Sequence, residues 1–161
     1  MKMKLFSAVL LSSALFLACG NDEETADSEG CEHLKEGPSA AINASASGTG
    51  APAVSNDHRR YDITLTDVTG GKGGSVSFAS AEAIHYILFT GADVPVAVKD
   101  SSGMTVAPEE SVKSSSVCTE VKGRHTIPLS VGTYTLTFGP TTLTSVSLVI
   151  EEEEGEHDHE H

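Results

Sequence analysis

From Tyr61 onward, apolar side chains of this 161-residue chain recur at every second position, and that parity restricts the fold more than any other feature. Tyr61, Ile63 and Leu65 alternate with Asp62, Thr64 and Thr66, and Val76 and Phe78 alternate with Ser75 and Ser77. Val94, Val96 and Val98 form a further stripe, as do Tyr134, Leu136 and Phe138, and Val146, Leu148 and Ile150. Successive side chains of a strand point to opposite faces, so each stripe predicts a strand with one buried and one polar face. The run IHYILFT at 84–90 is apolar at both parities and predicts a central strand. Weaker strand candidates are 41–47, 104–107, 117–121 and 125–131.

Turn chemistry separates these runs: TGGKGG at 69–74, Gly91, the 100–103 segment, Val131-Gly132 and Gly139-Pro140. TGGKGGS fits a hairpin loop better than a phosphate-cradling helix start. Pro95 and Pro128 fall inside strand-like segments and so should face an edge or a bulge. Eight or nine short strands at this spacing predict an all-β domain, a sandwich or jelly-roll-like fold, over residues 31–150. The segments DVPVAVKDSSG (93–103) and HTIPLSVGTYTLTFG (125–139) give this region a cadence similar to bacterial prepeptidase C-terminal-like β-sandwich modules. That resemblance implies a non-catalytic accessory domain.

The net charge of −13 is unevenly spread, because twelve of the 23 acidic residues lie in 20–30 and 151–161. Residues 31–150 keep 11 acids against eight Lys and Arg, a nearly balanced domain with no basic face for nucleic acid. At the start, Lys2 and Lys4 precede an apolar run at 5–18, too short for a permanent membrane span and matching a secretory signal. The run ends in Phe16-Leu17-Ala18-Cys19, which resembles the lipobox of bacterial lipoproteins, with Phe16 where leucine is usual. The resemblance implies that residues 1–18 are removed, that Cys19 is lipidated, and that the protein is exported and held to a membrane by its lipid. Gly20, where aspartate often marks inner-membrane retention, favours the outer membrane. Residues 19–30 then read as an acidic tether with too few apolar groups to order.

Two cysteines remain, Cys31 and Cys118. In an exported chain their default is a disulfide, worth about 4–5 kcal/mol for so long a loop; the rival is thiolate ligation of a metal, which Cys31-Glu32-His33 would suggest. A 31–118 bridge draws together the segments of His33 and His125, and with His58, at the entry to the first strand stripe, they offer two or three imidazoles of the kind that suits zinc or copper. They are otherwise unrelated histidines making ordinary hydrogen bonds. His85 alternates out of an apolar strand and carries no predicted role. No GxSxG elbow, HExxH or P-loop is present, so the chain does not read as an enzyme.

The chain ends EEEEGEHDHEH, an acidic His-rich tail over 151–161. His157, His159 and His161, with Asp158 between the first two, offer imidazole and carboxylate donors that suit Zn²⁺, Ni²⁺ or Cu²⁺. The sequence alone therefore points to weak transition-metal capture in the cell envelope by a lipid-anchored, non-catalytic protein that requires no cofactor. The competing reading is a structural or adhesive module that binds an envelope protein or glycan and carries an inert tail.

Overall fold

The structure is a computed structural model and describes residues 25–153. The alternating stripes become strands: β1 (Ser39–Asn43), β2 (Ala53–Val54), β3 (Arg60–Thr64), β4 (Thr66–Val68), β5 (Gly71–Ser80) and β6 (Ile84–Thr90). They continue as β7 (Val96–Lys99), β8 (Thr105–Val106), β9 (Glu110–Val112), β10 (Gly123–Leu129), β11 (Gly132–Thr141) and β12 (Ser145–Glu152). One sheet has the order β1-β3-β12-β6-β10-β9. The other runs β2-β5-β11-β7-β8, with β4 hairpinned onto β5. Both are mixed, since β1 joins β3 and β2 joins β5 in parallel while the other pairs are antiparallel. The domain is thus an all-β sandwich, as the alternation predicts. It has more strands than expected because β2, β4 and β9 are too short to leave a period in the sequence, whereas β8 falls within the 104–107 candidate.

The core lies between the sheets. Ile63, Leu88, Leu148 and Ile150 from the first sheet meet Val76, Phe78, Leu136 and Phe138 from the second, all at most 1% exposed. Phe78 and Tyr86 join the layers by an edge-to-face contact, with centroids 5.1 Å apart. β6 is central, as its double apolarity predicts: Tyr86 and Leu88 enter this core, and Ile87 and Phe89 face the other way.

What they face was not expected. Helix α1 (Ala26–Glu36) occupies the outer face of the first sheet and begins inside the stretch read as a tether. Thr25 caps it, accepting a hydrogen bond from the Ser28 amide at 3.3 Å, and Asp27 and Glu29 in the first turn complement the helix dipole. Two of the acids that suggested disorder therefore stabilise a helix start. Cys31 and Leu34, three residues apart, share the buried face and pack on Ile87, Phe89, Val149 and Val121. Gly30 lets the helix approach, since a Cβ there would lie 2.4 Å from the buried Phe89 ring.

Three local expectations also need correction or refinement. Residues 117–121 form no strand; they belong to the loop that carries Cys118 towards α1. In the 69–74 segment only Thr69 and Gly70 make the hairpin turn, and Gly71 opens β5. Gly73 lies against the β11 backbone, where a Cβ would meet the Phe138 carbonyl at 2.6 Å. Pro128 does sit on an edge, because β9 stops pairing with β10 at Thr126, and Pro95 lies just ahead of β7.

Candidate metal centre

The inward residues of β12 are Val146, Leu148 and Ile150, so Val149 and Glu151 project from the outer face, where α1 lies. Glu151 pairs across the ladder with Ile87 and is 2% exposed. Its two carboxylate oxygens meet two imidazoles. His33 Nδ1, from the last turn of α1, is 2.6 Å from Oε1, and His58 Nδ1, from the loop before β3, is 3.3 Å from Oε2. The imidazole centroids are 5.2 Å apart, and one donor atom from each of the three residues falls within a 4.8 Å span.

The loop that brings His58 here is clipped on both sides. Asn56 donates to Glu152 on β12. The Tyr61 hydroxyl donates to Asp57 at 3.0 Å and accepts from the Ser55 amide at 3.1 Å, and Arg59 pairs with Asp57 at 2.8 Å. Burial alone would raise the Asp57 carboxyl, but the Tyr61 and Ser55 hydrogen bonds and the Arg59 charge outweigh it and hold the group below its ordinary value. His58 itself has φ of 56°, a left-handed conformation that few non-glycine residues adopt. The loop holds the imidazole at the carboxylate despite this local cost.

Burial is the largest influence on Glu151 and pushes its carboxyl up. The His33 hydrogen bond and the charges of His33 and His58 pull it back, Glu29 pushes it up again, and the net direction is upward. Chemically the cluster is a His₂Glu donor set with one side open, since His58 is 65% exposed. Two ligands about 2 Å from a tetrahedral zinc stand about 3.3 Å apart. The His58–Glu151 separation already has that value, His33 stands closer than that to the other carboxylate oxygen, and the three donors lie within 4.8 Å of one another.

The other predicted residues fall as follows. The structure brings His33 and His58 together but separates His125 from them. His125 lies in the cross-strand row with Leu88 and Ile150, the inward row, whereas Glu151 belongs to the next row on the opposite face. One step of strand parity decides the difference. His125 Nδ1 is 2.8 Å from the Ser111 hydroxyl, while its buried Nε2 has no hydrogen-bond partner among the described residues. Desolvation lowers its pKa, against the opposing charge of Asp93. Cys31 and Cys118 lie at disulfide distance, with Cα atoms 6.0 Å apart. Cys19 and the tail residues His157, Asp158, His159 and His161 lie outside the described residues.

Glu151 was assigned to the tail and is instead part of a strand. The sequence did hold a signal. Val149 is apolar at the outward parity of β12, which implies a covered outer face, and Glu151 is the next residue at that parity. Comparison with models of known protein families gives no match, and neither does comparison with curated proteins. The centre's own geometry therefore carries the functional argument.

Proposed function

We propose that this protein is an exported, lipid-anchored and non-catalytic metal-capture protein of the cell envelope, whose folded domain holds a transition-metal dication at His33, His58 and Glu151. One observation carries the reading: a buried carboxylate presents its two oxygens to two imidazoles, one of them on a strained and clipped loop. His₂-carboxylate sets with an open side suit Zn²⁺, and imidazole-rich sets also suit Ni²⁺ and Cu²⁺. The Phe16-Leu17-Ala18-Cys19 segment supports the anchor, with Cys19 as the lipidated residue, and favours the outer membrane. His157, Asp158, His159 and His161 add weaker donors of the same chemistry. The sandwich supplies a rigid platform, in keeping with its likeness in cadence to prepeptidase C-terminal-like modules.

Isothermal titration of the full chain with Zn²⁺, Ni²⁺ and Cu²⁺ tests this. The tightest binding event should disappear in the His33→Ala/His58→Ala double variant and persist in a chain truncated after Glu153. If the double variant binds as the parent does, the centre is wrongly placed. If the parent shows no heat beyond buffer, metal capture fails and the sandwich is left as a module for an envelope protein or glycan.

A further inference from the structure

The His₂Glu set accounts for three ligands of a tetrahedral ion and leaves the fourth to be found. Helix α1 carries a further carboxylate on the flank that holds His33. Glu29 precedes His33 by four residues, and side chains four apart on a helix are surface neighbours, with Cβ atoms about 5–6 Å apart. A helical side chain leans towards the N-terminus of its helix, so His33 extends back over the turn that bears Glu29. The two acids of that first turn are used differently. Asp27 is taken up by Arg124 and Ser115, whereas the half-buried Glu29 has no ion-pair or hydrogen-bond partner among the described residues. Its charge nevertheless reaches Glu151 and acts against it. Glu29 thus sits where it repels the buried carboxylate and is neutralised by no base.

We propose that Glu29 is the fourth ligand, which closes a His₂Glu₂ centre of Glu29, His33, His58 and Glu151 around a transition-metal dication. The inference rests on the metal-capture reading and deepens it. A dication held by two neutral imidazoles and Glu151 alone keeps one positive charge, which a partly buried site disfavours. A second carboxylate cancels that charge, and the ion replaces the Glu29–Glu151 repulsion with attraction to a shared partner. The spacing is suitable, because two side chains four apart on one helix face hold a single zinc in HExxH helices. Glu29 lies outside the 4.8 Å span of the other three donors, so it joins by rotation of its side chain when the ion is bound. Glu32 is not an equivalent candidate, since it is exposed and, one residue from His33, points from another side of the helix. Four protein ligands suit an ion that is held, whereas an open fourth position suits one that activates water. The closed set therefore accords with capture by a non-catalytic protein.

Titration of the full chain with Co²⁺, followed by displacement with Zn²⁺, tests it. The visible absorption of bound Co²⁺ reports the ligand set, and the displacement reports zinc affinity. Glu29→Gln should weaken the tightest zinc binding by roughly tenfold or more and should change the cobalt spectrum. Because glutamine keeps the size of glutamate, the metal-free melting temperature should stay near that of the parent. Glu32→Gln removes the same charge from another side of α1 and should leave affinity and spectrum near their parental values. Equal losses of affinity in the two variants would reduce Glu29 to part of a general negative field and overturn the fourth ligand. A parental cobalt spectrum in Glu29→Gln would overturn it as well, and in both cases the three-residue centre would stand. Binding that survives His33→Ala/His58→Ala overturns the centre and the fourth ligand together.

Discussion

Glu151 is the residue at which fold and function pull apart. A buried carboxylate costs free energy unless its partners compensate, and here they compensate incompletely, because the pKa stays above its ordinary value of 4.5. The folded state therefore holds the proton more tightly than the unfolded chain. The associated stability is present below about pH 4.5 and is lost as pH rises through the elevated folded value. Glu151→Gln keeps the shape and removes the titration. The metal-free variant should be more stable than the parent at pH 7, with the difference shrinking towards pH 4. The same variant should bind zinc more weakly. Thermal unfolding across pH, with and without zinc, checks both halves. A variant less stable than the parent at neutral pH would mean that the ionised carboxylate is a net structural asset. The cysteine positions drew together the segments of His33 and His125, and His58 entered the group only from its place at the start of a strand; the structure keeps His33 with His58 instead. Glu151 was not legible, because four consecutive glutamates resemble a solvated run and only strand parity tells the buried one apart. His125 joined the wrong group for the same reason: spacing along the chain says nothing of which sheet face a side chain takes.

At the scale of elements, α1 decides whether the centre exists, since His33 rides on it. Eleven residues do not sustain a helix in water, so α1 depends on its attachments. Arg124 reaches Asp27 at 2.7 Å, Arg60 donates to the Leu34 carbonyl at 3.0 Å, and Cys31 lies at bonding distance from Cys118, 87 residues away. A bridge closing a loop of that length contributes about 4–5 kcal/mol in the chain-entropy model. Cys118→Ser should accordingly lower the melting temperature steeply and, by loosening α1, weaken zinc binding. A melting temperature equal to that of the parent would show that the two sulfurs do not bond. The strands were legible because alternation is written directly into side-chain order. The helix was hidden because Cys31 and Leu34 are its main buried side chains and its first turn is acidic, which is the composition of a tether as much as of a capped helix start.

For the whole molecule, the governing property is where the charge lies. The sandwich is nearly balanced, and the acids concentrate in 20–30 and 151–161, on either side of it in sequence. Composition alone revealed this segregation, but not that α1 and β12 each draw residues from those acidic stretches onto one face of one sheet. A negative field around such a face raises the local cation concentration and speeds capture, and salt screens it: the Debye length is about 30 Å at 0.01 M ionic strength and about 8 Å at 0.15 M. The rate of zinc uptake by the full chain, followed by stopped flow against a chromophoric chelator, should therefore fall several-fold over that range. In a chain ending at Glu153, which lacks Glu154, Glu156, Asp158 and Glu160, the rate should start lower and fall less. Dissociation from the His33–His58–Glu151 centre should change little in either chain, because short-range bonds set it. Equal salt slopes for the two chains would show that the tail's charge plays no part in steering ions to this face.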